Sequence, residues 1–107
     1  MRIEKLKDMQ GGWFVGNFTP TAHKADFEVC YKFHPKGDVW DIHYHDTVTE
    51  INLLVRGKMR MQNRLLEAGD IFIIEPYEIS DPEFLEDCEV VVVKTPSAND
   101  KIPVKKI

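Results

Sequence analysis

His43 and His45 stand two residues apart in a run of strand-forming residues, a spacing that puts both imidazoles on one face of a single extended strand. After four intervening residues Glu50 opens a second such run, Glu50-Ile51-Asn52-Leu53-Leu54-Val55. A four-residue connection suits a hairpin, which predicts antiparallel pairing with His45 opposite Glu50 and His43 opposite Asn52. Two neutral nitrogen donors and one carboxylate on a shared face form a facial set for Fe, Mn, Ni or Zn, with positions left open for water or substrate. The other use of such a pair is a polar, metal-free pocket, where an imidazole of near-neutral pKa serves as general acid and base.

The elements that must position these residues read as strands throughout. Phe27, Val29, Tyr31 and Phe33 alternate with Glu28, Cys30, Lys32 and His34, the pattern of a half-buried strand. His34-Pro35-Lys36-Gly37-Asp38 is a turn, in which Pro fixes one dihedral angle and Gly permits a positive one. Beyond it, Trp40, Ile42 and Tyr44 are expected on one face, and Asp41, His43 and His45 on the other. Glu50, Asn52 and Leu54 should face with the histidines, and Ile51, Leu53 and Val55 should point away. Lys58 to Met61 alternates again, Gln62-Asn63 turns the chain into Arg64-Leu65-Leu66, and Ile71 to Ile74 is a continuous apolar strand. A long strand is expected near Glu89 to Thr95, with shorter ones at Trp13 to Phe18 and at Ile3 to Leu6. Eight to ten short strands and no convincing helix predict an all-β fold, a jelly-roll β-barrel of two packed antiparallel sheets.

At 107 residues the chain is expected to be one domain, 1–107, with its core over about 11–95 and a polar C-terminal tail, 96–107, that is partly disordered or packs on a neighbour. Net charge is −4 and the basic residues are scattered apart from Lys105-Lys106, so neither nucleic acid nor an anionic membrane is an expected partner. No apolar run suits a signal peptide or a membrane span, and a cytoplasmic location follows as the expectation. Cys30 and Cys88 lack Cys-x-x-Cys spacing and read as free thiols in strands.

The stretch from Gly37 to Gly57 resembles the first motif of the cupin superfamily: Gly, five residues, His-x-His, three or four residues, Glu, six residues, Gly. Gly37, His43, His45, Glu50 and Gly57 match every fixed position. The resemblance implies a small single-domain cupin, with His43, His45 and Glu50 as ligands of a divalent transition metal and a small molecule bound in the barrel. The family's second motif, Gly, five residues, Pro-x-Gly, two residues, His, three residues, Asn, begins at Gly69 and then departs. Without gaps, Glu75, Tyr77, Ser80 and Phe84 fall at the Pro, Gly, His and Asn positions; with Pro76 taken as the motif proline, Asp81 takes the His position. Either way the histidine that usually completes the ligand set is missing, leaving Ser80, a poor ligand for Zn or Fe, or Asp81, a good one.

Three functions fit this pattern. One is a metal-dependent dioxygenase or isomerase, with Tyr44, Asn52 and Arg60 near the substrate. Another is a metal-independent isomerase or epimerase of a sugar or nucleotide-linked sugar, using His43 or His45 for proton transfer. The third is a non-catalytic cupin that holds a small polar molecule. Both faces of the motif strands carry bulky residues, so the outer face needs cover from a second sheet or a second subunit, and the resemblance to small cupins favours a homodimer.

Overall fold

A computed structural model of the protein describes residues 1–105. It contains ten strands: β1 (Trp13–Val15), β2 (Glu28–His34), β3 (His43–His45), β4 (Thr49–Arg56), β5 (Lys58–Met61), β6 (Arg64–Glu67), β7 (Ile71–Ile74), β8 (Glu83–Phe84), β9 (Cys88–Thr95) and β10 (Lys101–Pro103). One layer is a sheet in the order β1-β2-β9-β4-β7. The other combines β10-β3 with β6-β5-β8. Those two pieces meet where the His43 N–H donates to the Ser80 carbonyl (3.1 Å) and the Ser80 N–H donates back (2.7 Å). Every strand pair is antiparallel, and the architecture is the all-β jelly roll that the strand pattern predicts.

Local chemistry accounts for much of it. Gln62 and Asn63 both adopt positive φ (50° and 60°), the conformation of a two-residue turn whose twist matches its flanking strands, and β5 and β6 pair around them in register. On β4 the alternation holds: Asn52 and Leu54 are buried, while Ile51, Leu53 and Val55 are exposed. Leu54, Met59, Cys30 and Cys88 are fully buried at the centre of the core. Both cysteines are free thiols, and burial pushes the Cys30 thiol up to about 12, where it is inert.

Several expectations are corrected. Ile3 to Leu6 forms no strand; the lead-in coils through two 3-10 turns, Leu6–Asp8 and Gln10–Gly12. The motif strands form no hairpin. Between His45 and Thr49 the chain crosses from one layer to the other, so β3 pairs with β10 (His45↔Lys101, His43↔Pro103) and β4 pairs with β7 and β9. Residues 101–103 of the presumed tail are therefore a strand of the barrel; the last two tail residues, Lys106 and Ile107, lie outside the described residues. Trp40 does not share a face with Tyr44, because regular strand geometry begins only at His43, and its indole lines the interior.

The faces of β2 run against the simple hydrophobic rule. Glu28, Cys30, Lys32 and His34 point into the barrel, whereas Phe27 and Phe33 are exposed. Polar side chains on an inner face carry a desolvation cost unless partners or a ligand meet them, and here they surround a cavity. Among the described residues no helix is long and apolar enough to cross a membrane.

Candidate metal centre

The cavity lies between the two layers, has a volume of about 500 Å³, and collects His43, His45, Glu50, Asn52 and Ser80 in its wall. The layer crossing between β3 and β4 makes this convergence possible. His43 and His45 project inward from one layer, Glu50 projects from the other, and one ligand atom from each lies within 4.8 Å of the others. Glu50 Oε2 is 2.8 Å from His45 Nε2 and 3.9 Å from His43 Nε2, with the two imidazole planes at 90°.

Each imidazole is held by its other nitrogen. His43 Nδ1 lies 2.8 Å from the Asp41 carbonyl oxygen, and His45 Nδ1 lies 2.6 Å from Asp100 Oδ1. Nδ1–H therefore donates in both rings and both Nε2 atoms face Glu50; the His45 Nε2–H donates to the Glu50 carboxylate, a proton that a bound metal would replace. Both histidines are 5% exposed, so their orientation is fixed by packing as well as by hydrogen bonds. The donor set, two imidazole Nε2 atoms and a carboxylate converging from three directions, fits a divalent transition metal.

The charges support each other. Burial pushes the Glu50 carboxyl up, but hydrogen bonds and charge from His43 and His45 outweigh it and bring the pKa to about 2. Burial likewise disfavours the charged His45 ring, yet Glu50 and Asp100, one on each nitrogen, raise its pKa above the ordinary value. Asp100 is held near 2: burial opposes ionisation, and the Thr47 and Val48 N–H groups, both 2.9 Å from Oδ2, overcome it together with His45. Asp100 thus ties the C-terminal strand to the crossing that carries His45. It was missed in the sequence because it stands 55 residues from its imidazole. The available signal was the apolar alternation of Ile102 and Val104 just after it, which marks a strand rather than a solvated tail.

Other expected site residues fare unevenly. Asn52 is buried in the cavity wall, where its Nδ2 donates to the Phe72 carbonyl (3.4 Å). Ser80 is buried on the same wall. Asp81 is turned aside, its Oδ1 accepting the Gln62 N–H (2.8 Å). Tyr44 points out of the barrel by the alternation of β3 and stacks near Tyr77 at 6.0 Å. Arg60 also points outward, between inward Met59 and Met61, and pairs with Glu83 at 3.0 Å. Trp13, Trp40 and Lys32, which the sequence places only in strands, all enter the cavity wall.

No family model matches the chain, and no curated protein sequence is detectably similar to it. Solved structures are similar in fold. An uncharacterized conserved protein with a double-stranded β-helix domain from Klebsiella pneumoniae superposes with a TM-score of 0.68 at 22% identity, over 76% of this chain and 72% of that one. A cupin-2 domain protein from Shewanella frigidimarina gives 0.54 at 19%, over 66% and 71%. A predicted oxalate decarboxylase from Thermotoga maritima gives 0.54 at 21%, over 65% and 64%. At these identities the likeness speaks for the fold, and with the two antiparallel layers and the cluster between them it establishes this chain as a small protein of the cupin, or double-stranded β-helix, fold.

Proposed function

We propose that the protein binds one divalent transition metal through His43, His45 and Glu50 and uses it to act on a small polar molecule held in the barrel, in a dioxygenase or isomerase reaction. The observation that carries this reading is the orientation of both Nε2 atoms toward Glu50, with each Nδ1 already occupied. A metal held by His43, His45 and Glu50 would supply Lewis acidity toward an oxygen of the bound molecule. The protein's own part is to exclude bulk water with the Met59, Met61 and Phe84 wall, to offer the Asn52 amide beside the ligands, and to hold His45 through Asp100. A second reading is favoured by one feature. His45 between two carboxylates can also relay a proton without metal, as a sugar isomerase or epimerase requires.

Elemental analysis of untagged protein prepared without chelator separates the two. Close to one Fe, Mn, Ni or Zn per chain is expected. Protein that carries no metal and takes up none on titration would leave the proton-transfer reading.

The outer face of the five-stranded sheet supports a homodimer. Ile51, Leu53 and Val55 of β4 and Ile71 and Ile73 of β7 form an uncharged apolar surface; Ile71 is 67% exposed and Ile73 54%, and β7 is the open edge of the sheet. A second copy presenting the same patch is its natural complement, because an isologous contact places identical uncharged faces together. Sedimentation equilibrium is expected to give a dimer for the native protein and a monomer for Ile73→Glu, with metal content unchanged. A monomeric native protein would dismiss this assembly.

A further inference from the structure

The cavity contains three lysines that the metal site does not use. Lys32, Lys94 and Lys101 line it against two glutamates, Glu28 and Glu50. Glu28 is committed to Lys94 at 3.6 Å and accepts a hydrogen bond from Ser97 Oγ at 2.8 Å, and Glu50 is committed to the histidines. Among the described residues Lys32 and Lys101 pair with no carboxylate. They lie instead against indoles. Lys94 is 5.4 Å and Lys32 5.7 Å from the Trp13 ring centroid, and Lys32 and Lys101 are each 5.3 Å from that of Trp40. Ammonium and indole groups thus alternate along the wall, a cation–π arrangement that keeps the ammonium groups ordered without neutralising them.

The strand register places this row beside the ligands. Lys101 is the direct cross-strand partner of His45, and Lys94 that of Glu50. Directly paired residues share a face, with Cβ atoms about 5 Å apart, so each of these metal ligands has a lysine as its neighbour on the inner surface. Lys32 is anchored from the opposite side, its Nζ donating to the Gly11 carbonyl (2.9 Å). Two uncompensated ammonium groups flanking Trp40, next to a cluster that itself gains positive charge when a divalent ion binds, form a receptor for an anion. The two indoles add flat apolar surface for a carbon skeleton.

We infer that the molecule this pocket takes is a small organic acid, its carboxylate seated between Lys32 and Lys101 at the Trp40 ring and its other end directed to His43, His45 and Glu50. This assignment of ligand class rests on the proposed site but not on its metal. A carboxylate is favoured over a phosphate because the receptor is two single ammonium groups, with no arginine fork in the cavity wall.

Both tryptophans of the chain line the cavity, so intrinsic fluorescence reports on this pocket. Metal-free and metal-supplemented protein would be titrated at constant ionic strength with succinate, with its neutral isostere succinamide and with inorganic phosphate. A saturable response to succinate and none to succinamide is expected. Succinate affinity should fall at least tenfold in Lys101→Met and in Lys32→Met, should largely return in Lys101→Arg, and metal content should be the same in all. Lys101 is solvent-exposed on the short edge strand β10, so its variants keep the test decisive if Lys32→Met disturbs the fold. Equal binding of succinamide, tighter binding of phosphate, no response to succinate, or indifference of succinate to Lys101 would overturn the inference. Protein that takes no metal yet binds succinate through the lysines fails only the metal reading. Protein that loads metal and ignores succinate fails only this one.

Discussion

Glu50→Ala is expected to weaken divalent metal binding by at least ~100-fold and to cost the metal-free protein stability at neutral pH, because His43 and His45 hold the ionised carboxylate in the fold. Catalytic zinc sites typically use three protein donors, and Glu50 supplies both the third donor and the only anionic one in the group. Without it the two imidazoles remain, still fixed through Asp41 and Asp100, but a neutral two-nitrogen site holds a dication poorly. Asp100→Ala should give the complementary pattern. It leaves all three donors in place, so affinity should fall less, by roughly 10- to 100-fold, the range for removing a partner that orients a ligand. It also strips acceptors from the Thr47 and Val48 N–H groups and from His45, for which about 2–3 kcal/mol of stability should be lost. Competition titration against a chromophoric chelator, paired with urea denaturation of the metal-free proteins, measures both axes. If Asp100→Ala bound metal as tightly as the native protein, the His45 orientation would not depend on the C-terminal strand.

The largest effect on folding is expected at Gly57. This residue turns the chain from β4 in one layer to β5 in the other, with φ of +99°. A Cβ there would land well inside contact distance of the Asp87 carbonyl and 2.8 Å from the Cys88 sulfur. Neither neighbour can retreat easily, since Asp87 is backbone and Cys88 is fully buried at the start of β9. Gly57→Ala therefore combines the cost of a left-handed residue, about 1–2 kcal/mol, with a steric clash, and should lose about 3 kcal/mol or more. For a chain of this length that lowers Tm by roughly 12 °C or more. Gly37, the other fixed glycine of the motif, is the control: its φ is +78° but a Cβ would meet nothing within 4 Å, so Gly37→Ala should cost only about 1 kcal/mol. Thermal unfolding of the two variants side by side checks the contrast, and equal losses would show that backbone conformation alone accounts for both glycines.

Several parts of this molecule could be read from local sequence because local physics decides them. The Gln62-Asn63 turn, the Ile71–Ile74 strand and the inward and outward sets of β4 follow from neighbours within a few residues. The His43, His45 and Glu50 cluster was legible for the same reason, all three side chains falling within eight residues. The partner of β3 was not. A four-residue connection reads as a hairpin, and only the closure of the barrel reveals that those residues cross between layers and that the true partner lies at Lys101–Pro103. Tyr44 and Arg60 were misplaced by weighing residue type above strand alternation. The interior face of β2 was hidden by a different effect: its inner side chains are the polar ones, so a rule built on dry cores cannot say which face is inside when the interior is a receptor.

The passage of the chain between layers at Asp46–Val48 also has a mechanical consequence. His43 and His45 belong to one sheet and Glu50 to the other, so an ion held by all three would act as a strut between the two halves of the barrel. Neither buried cysteine supplies such a cross-link. An ion present at a thousand times its Kd would brace the barrel by about 4 kcal/mol, so the three side chains of the proposed metal site would also serve as the keystone of the fold.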